Sequence, residues 1–178
     1  HKALIIITKQ IQEGNYKEQV EAIRKLIAEG QDKEADKLKK QLPAFTPSGT
    51  FENGRKAELL TQYSGFVILD LDKLSPEVLE RAKSLVALAP YTFAAFISPS
   101  GNGLKIIVPV NSTAEHHKLA FQQVSDYYEQ ALQLVVDPSG KDVSRLCFMS
   151  SDPDCYRNIN AETFNINIET ATAKTTKK

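Results

Sequence analysis

The sequence predicts an α+β domain with a ferredoxin-like β-α-β-β-α-β core behind an N-terminal helical segment. Three observations predict it. From Ser64 onward, apolar runs of strand length alternate with amphipathic stretches of helix length, in the order of the split βαβ unit. Before that point, residues 1–42 carry helical spacing. An apolar content of 42% and a charged content of 25% are ordinary for a globular chain, and 178 residues are enough for one good core.

The elements follow in order. Ala3–Gln12 fits helix and strand alike. Asn15–Gly30 places Tyr16, Val20, Ile23, Leu26 and Ile27 at helical spacing and ends at a glycine. A second helix opens near Asp32, runs to Leu42 and is halted by Pro43. Its Lys33, Lys37, Lys39 and Lys40 form a basic face, read as solvated surface or as a contact to DNA phosphates. Ala44–Asn53, rich in Pro, Gly, Ser and Thr, reads as an extended loop. Gly65–Asp72 is a strand, and Ser75-Pro76-Glu77 opens a helix to about Leu88 with Pro at its first position. Tyr91–Ser98 and Leu104–Val110 are strands flanking Pro99-Ser-Gly-Asn-Gly103. Ser112-Thr-Ala-Glu115 matches a capping box and opens a long helix to about Gln133. Leu134–Val136 is a short candidate strand, and Arg145–Met149 is the last strand of the core. The chain thus divides into a helical segment (1–44), a core (45–160) and a linker-like tail (161–178), as if cut from a longer protein.

Bulk properties exclude more than they select. Lys+Arg and Asp+Glu number 22 each, so the net charge is zero and nucleic-acid binding would need a local basic patch. No apolar run approaches the length of a membrane span. Cys147 and Cys155 lack zinc-ligand spacing, so reduced thiols in a cytoplasmic protein are expected.

Phe66-Val-Ile-Leu-Asp-Leu-Asp72 carries the sharpest chemistry. Asp70 and Asp72 share one face at the strand's end, about 6.5–7 Å apart along it. Asp137, directly after Val135-Val136, adds a third carboxylate, with Asp142 as its rival. Such a set suits Mg²⁺ or Mn²⁺ and would make Asp70, Asp72 and Asp137 the catalytic residues of a phosphoryl or nucleotidyl transfer. Unpaired carboxylates repel, so Asp70→Asn is expected to leave folding intact or slightly improved. In Ser98-Pro-Ser-Gly-Asn-Gly-Leu-Lys105, Gly101 and Gly103 let the backbone turn N–H groups toward a phosphate. Ser98 and Ser100 add hydroxyls, and Lys105 an ammonium; a plain hairpin turn is the other reading. Arg145 would hold a phosphate or orient Asp137. Right-handed crossovers bring all these segments to one end of the sheet. His116 and His117 read as surface residues on the second core helix, and Cys147 as a core thiol.

Phe66–Asp72, Ser98–Lys105 and Asp137–Arg145 together resemble the three motifs of the archaeo-eukaryotic primase superfamily, whose catalytic core is an RRM-like sheet. Leu42–Phe51, Ser64–Lys73, Ser100–Lys105 and Ser150–Tyr156 are similar, more closely, to the VirE N-terminal domain group of that superfamily, found in mobile-element and phage-like replication proteins. The resemblance implies that Asp70, Asp72 and Asp137 bind metal and that the loop with Lys105 binds nucleotide phosphates. Lys105 stands where the superfamily usually has His. The partners implied are a DNA template, nucleoside triphosphates and a helicase-like domain following in the same protein. The expectation is therefore a primase- or polymerase-type domain. The alternatives are a catalytically inactive nucleic-acid or nucleotide-binding module and a metal-dependent nuclease.

Overall fold

In the computed structural model, which describes residues 2–169, Lys2–Glu13 is a helix (α1). Leu4, Thr8 and Ile11 recur at helical spacing on its buried side, which decides the ambiguous stretch. Lys17–Ala28 (α2) and Asp32–Lys39 (α3) follow, closing a small cluster of Val20, Ile23, Ala35 and Leu42. The predicted loop after Pro43 instead contributes two short strands, Ala44–Phe45 (β1) and Gly49–Phe51 (β2). The second pairs antiparallel with Leu60–Tyr63 (β3).

The main sheet begins with Phe66–Leu71 (β4), whose every residue is buried. Pro76–Leu88 (α4) starts as expected, with the Ser75 hydroxyl accepting from the Val78 N–H. Ala94–Ile97 (β5) and Leu104–Pro109 (β6) form the next hairpin, and His117–Leu132 (α5) crosses back. Cys147–Phe148 (β7) and Tyr156–Arg157 (β8) complete the set. The four-stranded order is β4-β6-β5-β8, and each neighbouring pair is antiparallel.

Strand alternation sorts the sheet's side chains. Val67, Leu69 and Leu71 pack with Leu79, Ala82 and Val86 of α4 and Phe121, Val124 and Tyr128 of α5. Phe66 and Ile68 face the other way, onto Leu4 and Ile11 of α1 and onto Cys147, Met149 and Cys155. Both faces are covered, which is why these strands read as unbroken apolar runs. Asp70 and Lys105 point to the α1 side, at one end of the sheet.

The fold departs from expectation in further places. Arg145–Met149 does not join the main sheet; β7 pairs with β1 in a separate ribbon, and β8 takes the edge beside β5. The place beside β4 receives a single hydrogen bond, Asp137 N–H to the Asp70 carbonyl at 2.8 Å. Pro138 follows and opens a 3₁₀ turn over Pro138–Lys141, and Leu134–Val136 is not a strand. The predicted capping box does not form either. Thr113–His116 closes a turn of its own, and α5 starts two residues past Glu115 with His116 at its cap. Residues 161–169 of the predicted tail lie against the core, where Phe164 meets Tyr91 and Tyr127; 170–178 fall outside the described residues. No helix among the described residues is long and apolar enough to cross a membrane.

Candidate functional site

Antiparallel register sets Asp70 of β4 opposite Lys105 of β6. The pair is almost wholly buried, with Asp70 4% exposed and Lys105 9%. Lys105 Nζ donates to Asp70 Oδ1, and Arg145 Nη2 donates to Asp70 Oδ2 at 3.0 Å. Burial opposes the Lys105 ammonium, yet its pKa is raised, with the Asp70 carboxylate against it. Burial pushes the Cys147 thiol up to about 12, so at neutral pH it is uncharged and Asp70 is the anion that holds Lys105. A buried carboxylate between two cations is a paired charge, whose disruption costs more than its formation gains.

The other predicted residues gather at the same end of the sheet in two groups. Asp137 flanks Asp70 through its backbone N–H, and its Oδ1 accepts from Ser139 N–H at 2.7 Å. Hydrogen bonding to Ser139, helped by the Arg145 and Lys105 charges, holds its carboxyl below the usual range. Asp142, the rival, caps its own turn by accepting from the Ser144 N–H and hydroxyl, both at 2.9 Å. Asp72 is exposed and lies against Gly103, where a Cβ would meet its Oδ1 at 3.1 Å and the Leu71 carbonyl at 2.9 Å. That close approach is why a glycine stands at 103.

Ser98, Ser100, Gly101 and Gly103 form a hairpin turn joining the paired strands β5 and β6. Ser98 N–H donates to the Gly103 carbonyl and Gly101 N–H to the Ser98 carbonyl, so two of the N–H groups expected to face a phosphate are spent inside the turn. The Ser98 and Ser100 hydroxyls bond each other at 2.9 Å. Arg24 of α2 lies against Gly101 and donates to the Ser98 and Ser151 carbonyls, an N-terminal contact with no sequence signal. The turn is therefore structural in its bonding, and Lys105 and Arg145 separate from it.

The three carboxylates expected to hold Mg²⁺ or Mn²⁺ are each engaged within the protein as arranged. Asp70 already has its charge matched by two cations, Asp137 is engaged by its own turn, and Asp72 leans on Gly103. Among the described residues, no group of three or more His, Cys, Asp or Glu side chains is arranged to hold a metal ion.

Lys105 and Arg145 open instead onto a cavity of about 600 Å³ lined also by Lys39, Arg55 and Lys141, with Asp142, Ser139, Leu146 and Phe148. Five cations thus converge from the end of α3, the β2–β3 connection, β6 and the segment before β7. Arg55 Nη1 donates to the Ser144 carbonyl at 2.6 Å, and Lys39 Nζ sits 5.8 Å above the half-buried Phe148 ring. Lys39 belongs to the basic face seen in the sequence, whereas Arg55 lies in a bend with no periodic signal. His117, expected on the surface, is 2% exposed and touches Tyr63 Oη at 3.0 Å and the Gly140 carbonyl at 3.1 Å. It ties β3 to the turn that carries Ser139 and Lys141.

The family whose model matches residues 37–156, more than half of the chain, is described as BT4734-like, N-terminal domain. The matched span holds all five cations of the cavity. This corrects the resemblance to the VirE N-terminal domain group of the primase superfamily, which is a different family. No curated protein and no solved structure matches the chain.

Proposed function

The chain belongs to the BT4734-like N-terminal domain family, and from that premise we propose that it is a nucleic-acid-binding module whose basic cavity takes phosphates. One observation carries this reading: a chain with no net charge concentrates Lys39, Arg55, Lys105, Lys141 and Arg145 on one cavity. Like charges brought together raise the local potential and repel, a cost offset when a polyanion with its released counterions takes their place. Asp70 positions two of the five, Arg55 is tied to the Ser144 carbonyl, and Asp142 is the one carboxylate in the lining.

Fluorescence anisotropy with a labelled oligonucleotide across a salt series tests the proposal. Affinity should fall steeply with salt, and Lys39→Gln and Lys141→Gln should each flatten the log–log slope by about 0.7–0.9. Binding that ignores salt, or a slope unchanged in the double variant, would contradict it.

Nucleotidyl transfer on a DNA template is the second reading, favoured by Asp137 lying beside Asp70 near Asp72. Primer extension with Mn²⁺ separates the two. Product that disappears in Asp137→Asn while oligonucleotide binding persists would replace the module by an enzyme. The free, buried thiols of Cys147 and Cys155 are in keeping with a reducing, cytoplasmic setting for either reading.

A further inference from the structure

A second cavity, of about 650 Å³, lies between α1 and the β2–β3 hairpin. Three half-buried rings, Phe45, Phe51 and Tyr63, stand in its walls, and Gln62 offers a donor and an acceptor beside them. Arg55 lines this cavity and the basic one alike. Its hydrogen bond to the Ser144 carbonyl holds the guanidinium at their boundary.

We infer that this cavity is a nucleobase subsite and that the ligand is single-stranded nucleic acid, with phosphates in the basic cavity and a base among the rings. The inference rests on the phosphate reading of that basic cavity. An aromatic-walled space of this volume would by itself suit many apolar groups. What selects a base is the adjoining set of five cations, reached across one shared arginine. Rings paired with a cationic track are how single strands are held without sequence preference. In a duplex the bases are stacked and paired, so laying one in a side cavity costs unstacking and unpairing that a single strand avoids.

The chain has no tryptophan, so Phe51→Trp supplies a lone reporter in the cavity wall. Titrating it with an oligothymidylate of about 12 nucleotides, within the usual site sizes, should quench the indole on saturation at near wild-type affinity. Phe51→Ala should weaken that binding by roughly 5- to 150-fold, the loss of one stacked base, and a duplex of the same length should compete poorly. An unquenched indole with Phe51→Ala binding normally, while Lys39→Gln and Lys141→Gln still weaken binding, overturns the subsite and leaves the phosphate reading standing. Equal competition by duplex overturns the single-strand assignment. Saturation by poly-glutamate with no response to the oligonucleotide overturns both readings.

Discussion

Removing the Asp70 carboxylate leaves Lys105, 9% exposed, without the anion it is hydrogen-bonded to, and takes from Arg145 the charged acceptor of its Nη2. Asp70→Asn should therefore destabilise the fold by about 3–5 kcal/mol, the cost of breaking a buried pair from one side. This reverses the expectation from sequence, where two neighbouring carboxylates promised relief on neutralisation. The sign changed because a strand pattern shows which side chains share a face but not which cations the partner strand and a distant loop bring to them. Asp72→Asn, at an exposed position, should fall within about 0.5 kcal/mol of wild type. Urea unfolding of the two variants side by side checks both statements; equal, small effects would contradict the buried pairing.

At the scale of elements, the turn over Pro138–Lys141 is held from two directions. Gly140 packs so closely that a Cβ there would strike the Ile68 carbonyl and the Phe121 ring. Gly140→Ala should cost about 1–3 kcal/mol or more, since backbone cannot yield as a flexible side chain does. His117 grips the same turn and Tyr63, and burial lowers its pKa against the smaller opposing effects of the Gly140 carbonyl and Asp142. A histidine depressed in the native state binds fewer protons than the unfolded chain, so stability falls as pH drops below about 6.5. The decline is at most about 1.4 kcal/mol per pH unit for one group. His117→Gln should flatten that part of the stability–pH profile, and an unaltered profile would place the proton uptake elsewhere. Most long elements could be read from periodicity: α2, α4, β4, β5 and β6 lie where expected. What could not be read were the two-residue strands β1 and β8, too short for any period, the pairing of β7 with β1 rather than with the main sheet, and the start of α5, where a local turn displaced a plausible cap. The fourth core strand, expected over Arg145–Met149, is missing from the main sheet because β7 pairs with β1 instead.

Across the whole molecule, an evenly charged chain becomes electrically uneven on folding. Lys105 and Arg145 could be singled out from the sequence as candidate phosphate ligands because they stood beside apolar strands and carboxylates. Arg55 could not, and Lys39 was one of four equivalent lysines until α3 was docked beside Phe148. Lys37 and Lys40 are instead paired on their own helix with Glu34 and Asp36. The predicted phosphate loop at Ser98–Gly103 proved to be the part most occupied with holding itself and Arg24. An amide NMR titration of the full chain with a single-stranded oligonucleotide bears most directly on where the ligand sits. Shifts concentrated at Lys39, Arg55, Lys141, Arg145 and Phe148 are the predicted result. Shifts confined to Ser98–Gly103 and Asp72, or none at saturating oligonucleotide, would contradict it.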